Sequence, residues 1–65
     1  MKINEKIRVW RKEKKIGQKE LANLIGKSVP CISRFEKGKQ KQIEFDDIEK
    51  MLHRLDKKIL IIDNL

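Results

Sequence analysis

Two short helical segments divided by a single glycine constrain this chain more than any other feature. Between Gln18 and Gly38 it reads QKELANLIGKSVPCISRFEKG. Leu21, Ala22 and Ile25 recur at i, i+1 and i+4, which places them on one helical face. Gly26 follows at once, where a chain leaving a helix often needs a left-handed residue. Ser28 then offers a hydroxyl to cap a second helix, and Pro30 falls in that helix's first turn, where a missing N–H costs little. Ile32 and Phe35, three residues apart, supply its inward side, and Gly38 marks its stop. The expectation is helix, tight turn, helix.

That succession is the physical description of a helix-turn-helix, whose second helix can enter a DNA major groove. Arg11, Gln18, Leu21, Ala22, Gly26, Ser28, Ile32, Glu36 and Gly38 make the likeness specific. In identity and spacing they resemble the DNA-binding module of the phage repressor and Cro (XRE) family. The resemblance covers Ile3 to about Leu55. It implies a compact all-α domain of four helices that binds double-stranded DNA, with the recognition helix at about residues 28–37. It also implies that Arg11 pairs with Glu36, 25 residues on, tying helix 1 to the end of the recognition helix. That pair is structural and reads no bases. Val29 and Pro30 depart from the pattern, standing where the family usually places polar base-reading residues, often glutamine.

Sixty-five residues make one domain near the lower size limit, burying only roughly 60% of the unfolded surface. An oligomer interface would therefore help stability as well as function. A hydrophobic fraction of 38% suffices for a small helical core but not for an enclosed active-site cavity. No acid–base pair accompanies a candidate nucleophile and no glycine-rich phosphate loop follows a strand, so an enzyme is not expected. Cys31 is the lone cysteine, which permits no internal disulfide and fits a reducing cytosol. His53 has no second histidine or cysteine at ligand spacing, so neither a metal nor a cofactor is expected. No apolar run approaches the roughly 20 residues of a membrane span, and Met1–Trp10 lacks the apolar core of a signal peptide. These features describe a cytoplasmic module with no membrane partner. Charge is unevenly placed: residues 1–42 carry +9 and residues 43–65 carry −2, making up the net +7. The basic part contains the glycine-turn motif, which favours a polyanionic partner.

In chain order, Lys2–Lys15 reads as helix 1, with Ile3, Ile7, Trp10 and the stem of Lys14 on one stripe. Asn4 is its expected N-cap and Ile3 the staple before it, while Trp10 packs this helix onto the two that follow. Gly17 takes the N-cap of helix 2, which leaves the Gln18 amide and free backbone N–H groups aimed outward as a phosphate site. On the second helix of the motif, Val29, Pro30, Ser33, Arg34 and Lys37 lie outside, and Cys31 is a small semi-buried filler. Arg34 is the best candidate for direct readout, since its fork can bond guanine O6 and N7, and Ser33 can reach a base edge. Val29 and Pro30 cannot hydrogen-bond by side chain and can only touch thymine methyls or fit groove shape. Lys27, Ser28, Lys37, Lys39 and Lys41 join Gln18 as phosphate contacts. Helix 4 runs from about Asp46 to Leu55, with Phe45, Ile48, Met51, Leu52 and Leu55 as a core stripe.

Residues 57–65 differ from this domain of residues 1–56. Ile59, Leu60, Ile61 and Ile62, bounded by lysines and an aspartate, read as a short strand. A lone strand cannot satisfy its own backbone, and pairing with the same strand of a second copy would solve this and make a homodimer. A fifth helix continuing helix 4 is one alternative, and a strand folded back on its own subunit is another. Four helices followed by an intermolecular strand resemble the HipB-like antitoxin branch of the family, which implies a toxin partner as well as DNA. The leading reading is a sequence-specific, dimeric DNA-binding repressor on a pseudo-palindromic operator. The alternative is an antitoxin that neutralises a partner protein and autoregulates its operon.

Overall fold

The computed structural model of the protein describes residues 2–39 and 43–57. Four helices follow one another: α1 (Ile3–Glu13), α2 (Gln18–Ile25), α3 (Val29–Glu36) and α4 (Phe45–Arg54). The described residues contain no strand, so the architecture is all-α. Helix α2 packs against both α3 and α4, and α1 packs against α3. Ile7 of α1, Leu21, Ala22 and Ile25 of α2, Ile32 and Phe35 of α3, and Met51 and Leu52 of α4 meet in one core, joined by Ile16 and Leu55 from the links. Trp10, Ile43 and Ile48 are partly buried against it. None of these helices exceeds 11 residues, and segments this short are marginal alone, so burial of these stripes is what holds them helical. No helix among the described residues is long and apolar enough to cross a membrane.

All four helices stop in the same backbone arrangement. One residue turns left-handed, and its N–H and the next N–H reach back to carbonyls of the last turn. At the end of α2 this residue is Gly26 (φ 69°), with Gly26 N–H donating to the Asn23 carbonyl at 3.3 Å and Lys27 N–H to Ala22 at 2.9 Å. At the end of α3 it is Gly38 (φ 79°), with Gly38 N–H on Phe35 and Lys39 N–H on Arg34. The other two stops use residues with side chains, Lys15 (φ 57°) after α1 and Asp56 (φ 60°) after α4. Left-handed backbone costs an L-residue roughly 1–2 kcal/mol that glycine avoids. Lys15 is exposed, so Lys15→Gly is expected to stabilise the fold by about 0.5–1 kcal/mol after the greater freedom of unfolded glycine is offset. A thermal melt checks this, and a lowered midpoint would contradict it.

Three sequence expectations are corrected here. Helix α1 begins at Ile3 and ends at Glu13, with Lys2 rather than Asn4 as N-cap, so Ile3 is a helical residue and not a staple. The first turn is closed instead by Glu5, whose carboxylate accepts the Lys2 N–H at 3.0 Å. Asn4 is drawn away by a distant group, donating its amide to the Glu36 carbonyl at 3.1 Å. Lys14 and Lys15 belong to the turn. Phe45 is 48% exposed rather than in the core. It occupies the first helical position of α4, where the Cα–Cβ bond tilts toward the helix N-terminus and carries the ring past the end of the stripe. Glu44 caps this helix, its N–H held by the Asp47 carboxylate at 3.3 Å.

The far end of α4 is fastened to the rest. Arg54 pairs with Glu20 of α2, Asp56 pairs with Lys14, and the Lys57 ammonium sits 4.8 Å from the centre of the Trp10 ring. The hydrogen bond and charge of Lys14 hold the Asp56 carboxyl below its ordinary pKa. The expected strand of Ile59, Leu60, Ile61 and Ile62 lies outside the described residues, as does Lys41.

Candidate nucleic-acid interface

Helix α3 is built to show one side to solvent. Ser28 caps it by accepting the Cys31 N–H on its hydroxyl at 3.2 Å, and Pro30 occupies the first turn. At roughly 100° per residue, Val29, Ser33, Lys37, Pro30 and Arg34 fall in that order across one arc of about 140°. Cys31, Phe35, Ile32 and Glu36 fill the opposite arc, and all four are buried. On the outer arc Val29, Pro30, Arg34 and Lys37 are exposed and Ser33 is half-buried. Lys27 and Ser28 precede this arc, Lys39 follows it, and all three are exposed. The structure therefore brings together on one side of the molecule the four expected base-facing residues, flanked by cations.

Behind the arc, Glu36 is the hub of a polar network. Arg11 Nε donates to Glu36 Oε2 at 2.7 Å and Nη2 donates to Oε1 at 3.1 Å, a two-pronged contact between buried groups. The remaining prong, Nη1, donates to the Ile16 carbonyl at 2.9 Å, fixing the α1–α2 link. Among the described residues, no buried side-chain nitrogen or oxygen lacks a hydrogen-bond partner. The network thus holds the beginning of α2, the end of α3 and both ends of α1 in one arrangement, which sets the tilt of the outer arc. An open groove of about 700 Å³ runs beside it, lined by Asn4, Glu5, Arg8, Val9, Glu36 and Lys37.

Gln18 differs from expectation. Its amide is not aimed outward: Nε2 donates to Glu36 Oε1 at 3.0 Å, and the side chain is half-buried. A carboxylate offers about four lone-pair directions, and two bonds from Arg11 leave room for this third donor. Gly17 supplies no side-chain cap, so the outward donors at the start of α2 are backbone N–H groups. Two participants of the network carried no sequence signal, Asn4 and the Ile16 carbonyl, because each bonds to a group fixed only by packing. Among the described residues no group of three or more acidic, histidine or cysteine side chains is placed to hold a metal ion.

No curated protein and no solved structure is significantly similar to the chain. The family model described as helix-turn-helix does match, over residues 7–62. That span includes the glycine-divided pair α2–α3, both ends of the Arg11–Glu36 pair and the exposed arc between Lys27 and Lys39. With the geometry and the family match in agreement, the chain belongs to the helix-turn-helix family of Cro/XRE-type DNA-binding transcription regulators.

Proposed function

We propose that the protein is a homodimeric repressor acting in the cytoplasm on a pseudo-palindromic operator. The observation that supports this best is the outer arc of α3, with Val29, Pro30, Ser33 and Arg34 exposed or half-buried between flanking lysines. Two copies of α3 related by a two-fold axis would enter successive major grooves roughly 34 Å apart. Arg34 reads guanine through O6 and N7, Ser33 a base edge, and Val29 and Pro30 the apolar part of the pairs. Lys27, Ser28, Lys37, Lys39 and Lys41 hold phosphates, and the α2 N-terminus beginning at Gln18 offers backbone N–H groups to another. Residues 57–65 supply the dimerisation element, through Ile59, Leu60, Ile61 and Ile62.

Selection of binding sites from random duplex DNA at physiological salt tests this reading. The expected result is an inverted repeat whose half-sites lie about one helical turn apart. Recovery of no sequence, with binding that vanishes as salt rises, would make the basic face a non-specific anchor. The antitoxin reading, in which a partner enzyme is the target and operon control is secondary, would then replace it. Arg34→Ala is expected to relax preference at one position per half-site, worth about 1–3 kcal/mol of discrimination there. Repeating the selection with that variant checks it, and an unchanged preference would count against base readout by Arg34.

A further inference from the structure

Recognition helices place their N-terminal residues at base edges. On α3 those residues are Val29, 39% exposed, and Pro30, also exposed. Neither side chain donates or accepts a hydrogen bond, and Pro30 carries no backbone N–H. The Ser28 hydroxyl oxygen is already engaged by the Cys31 N–H. The leading end of the reading arc is therefore an apolar surface, flanked by exposed Lys27, Arg34 and Lys37. Cations on its borders fit a polyanion seated over it, which makes duplex DNA the occupant.

In the major groove the apolar feature of a base pair is the methyl group on C5 of thymine. Cytosine presents the same ring position unsubstituted, and 5-methylcytosine restores the methyl there. Thymine and 5-methylcytosine still differ at the neighbouring atom, an O4 acceptor against an N4 donor. The side chains of Val29 and Pro30 have no polar atom with which to sense that difference. We propose that the N-terminal end of α3 is a reader of pyrimidine C5-methyl groups, one that accepts thymine and 5-methylcytosine alike and disfavours uracil and unmodified cytosine. This rests on the repressor reading and adds a means of regulation to it. Methylation of an operator cytosine at C5 strengthens binding at this position.

The test uses the full chain and the selected operator duplex. Each thymine in turn is replaced by uracil, which removes the methyl and keeps every hydrogen-bonding edge. At any sensitive position the pair is then changed to cytosine–guanine and to 5-methylcytosine–guanine. At one thymine per half-site, uracil is expected to weaken binding about fourfold, the equivalent of one buried methyl at about 0.8 kcal/mol. Substituting both half-sites together should give about sixteenfold, and 5-methylcytosine should regain over cytosine what uracil lost. Val29→Ser should abolish these differences while circular dichroism stays unchanged, since Val29 contributes little to the core. A selected operator in which every thymine can become uracil without loss would overturn the methyl reading and leave the repressor intact. Selection of no sequence at all would overturn both.

Discussion

Arg11→Ala is expected to destabilise the fold by about 3–5 kcal/mol, because it strands a buried carboxylate. Arg11 and Glu36 are both buried, and the guanidinium makes three of the bonds that hold this region. After its removal Glu36 keeps the Gln18 amide as its side-chain partner, and the Ile16 carbonyl loses its side-chain donor. A domain of this length has roughly 3–10 kcal/mol of stability in total, so the variant should be largely unfolded. Urea unfolding measures the loss directly, and a shift of less than about 1 kcal/mol would mean that the pair does not support the fold. The paired replacement Arg11→Met with Glu36→Leu separates the cost of an orphaned charge from the worth of the pair. Swapping a buried ion pair for apolar groups is often neutral or stabilising, so the double variant should fold better than Arg11→Ala. Neither residue lies on the outer arc of α3, so any loss of operator affinity beyond the unfolded fraction would report the tilt that the pair gives that arc.

The second large effect concerns affinity rather than stability. Deleting Ile59–Leu65 is expected to leave the four helices folded and to lower operator affinity by about 10²–10⁴-fold. The physical reason is effective concentration: once one α3 is seated, a linked second copy meets its half-site without paying again for association. All the described core residues end at Leu55, and Lys57 already rests on Trp10, so the truncated chain retains the whole of the described core. Light scattering should report a monomer, and titration of a single half-site should give the same affinity for truncated and full chains. A truncated chain that remains dimeric would remove residues 59–65 from the dimer interface. A monomer with undiminished operator affinity would remove the dimer from the binding model.

What could be read in the chain beforehand was what repeats at helical spacing or obeys local backbone chemistry. Leu21, Ala22 and Ile25 declared the buried face of α2, Ile32 and Phe35 that of α3, and Met51, Leu52 and Leu55 that of α4. Ser28, Pro30, Gly26 and Gly38 declared where helices start and stop, because hydroxyl caps, fixed φ and left-handed turns have residue preferences. The meeting of Arg11 with Glu36 came from resemblance, since nothing local connects residues 25 apart. Sequence and structure part where a distant group competes successfully with a local one. Asn4 has the chemistry of an N-cap but finds the Glu36 carbonyl, and Gln18 turns inward to the same residue's carboxylate. Lys15 and Asp56 end helices in left-handed backbone without the glycine that would have announced it. Phe45 fits the stripe by angle and leaves it by position, since periodicity carries no information about where a stripe runs out of partners.

The shared way in which the helices stop has a consequence for how the chain assembles. Each stop is closed by hydrogen bonds spanning at most six residues, so its geometry needs no partner distant in sequence. Without the break at Gly26, α2 and α3 could run on as one rod from Gln18 to Glu36, its apolar faces pulled away from each other. A rod of that kind invites a second copy to complete it, the route by which domain swapping begins. The glycine turn closes that route and leaves the docking of α3 and α4 on α2 and of α1 on α3. Chains dominated by local contacts fold in microseconds to milliseconds. The same few backbone bonds that end the helices thus also turn the chain away from the open rod through which two copies could exchange segments.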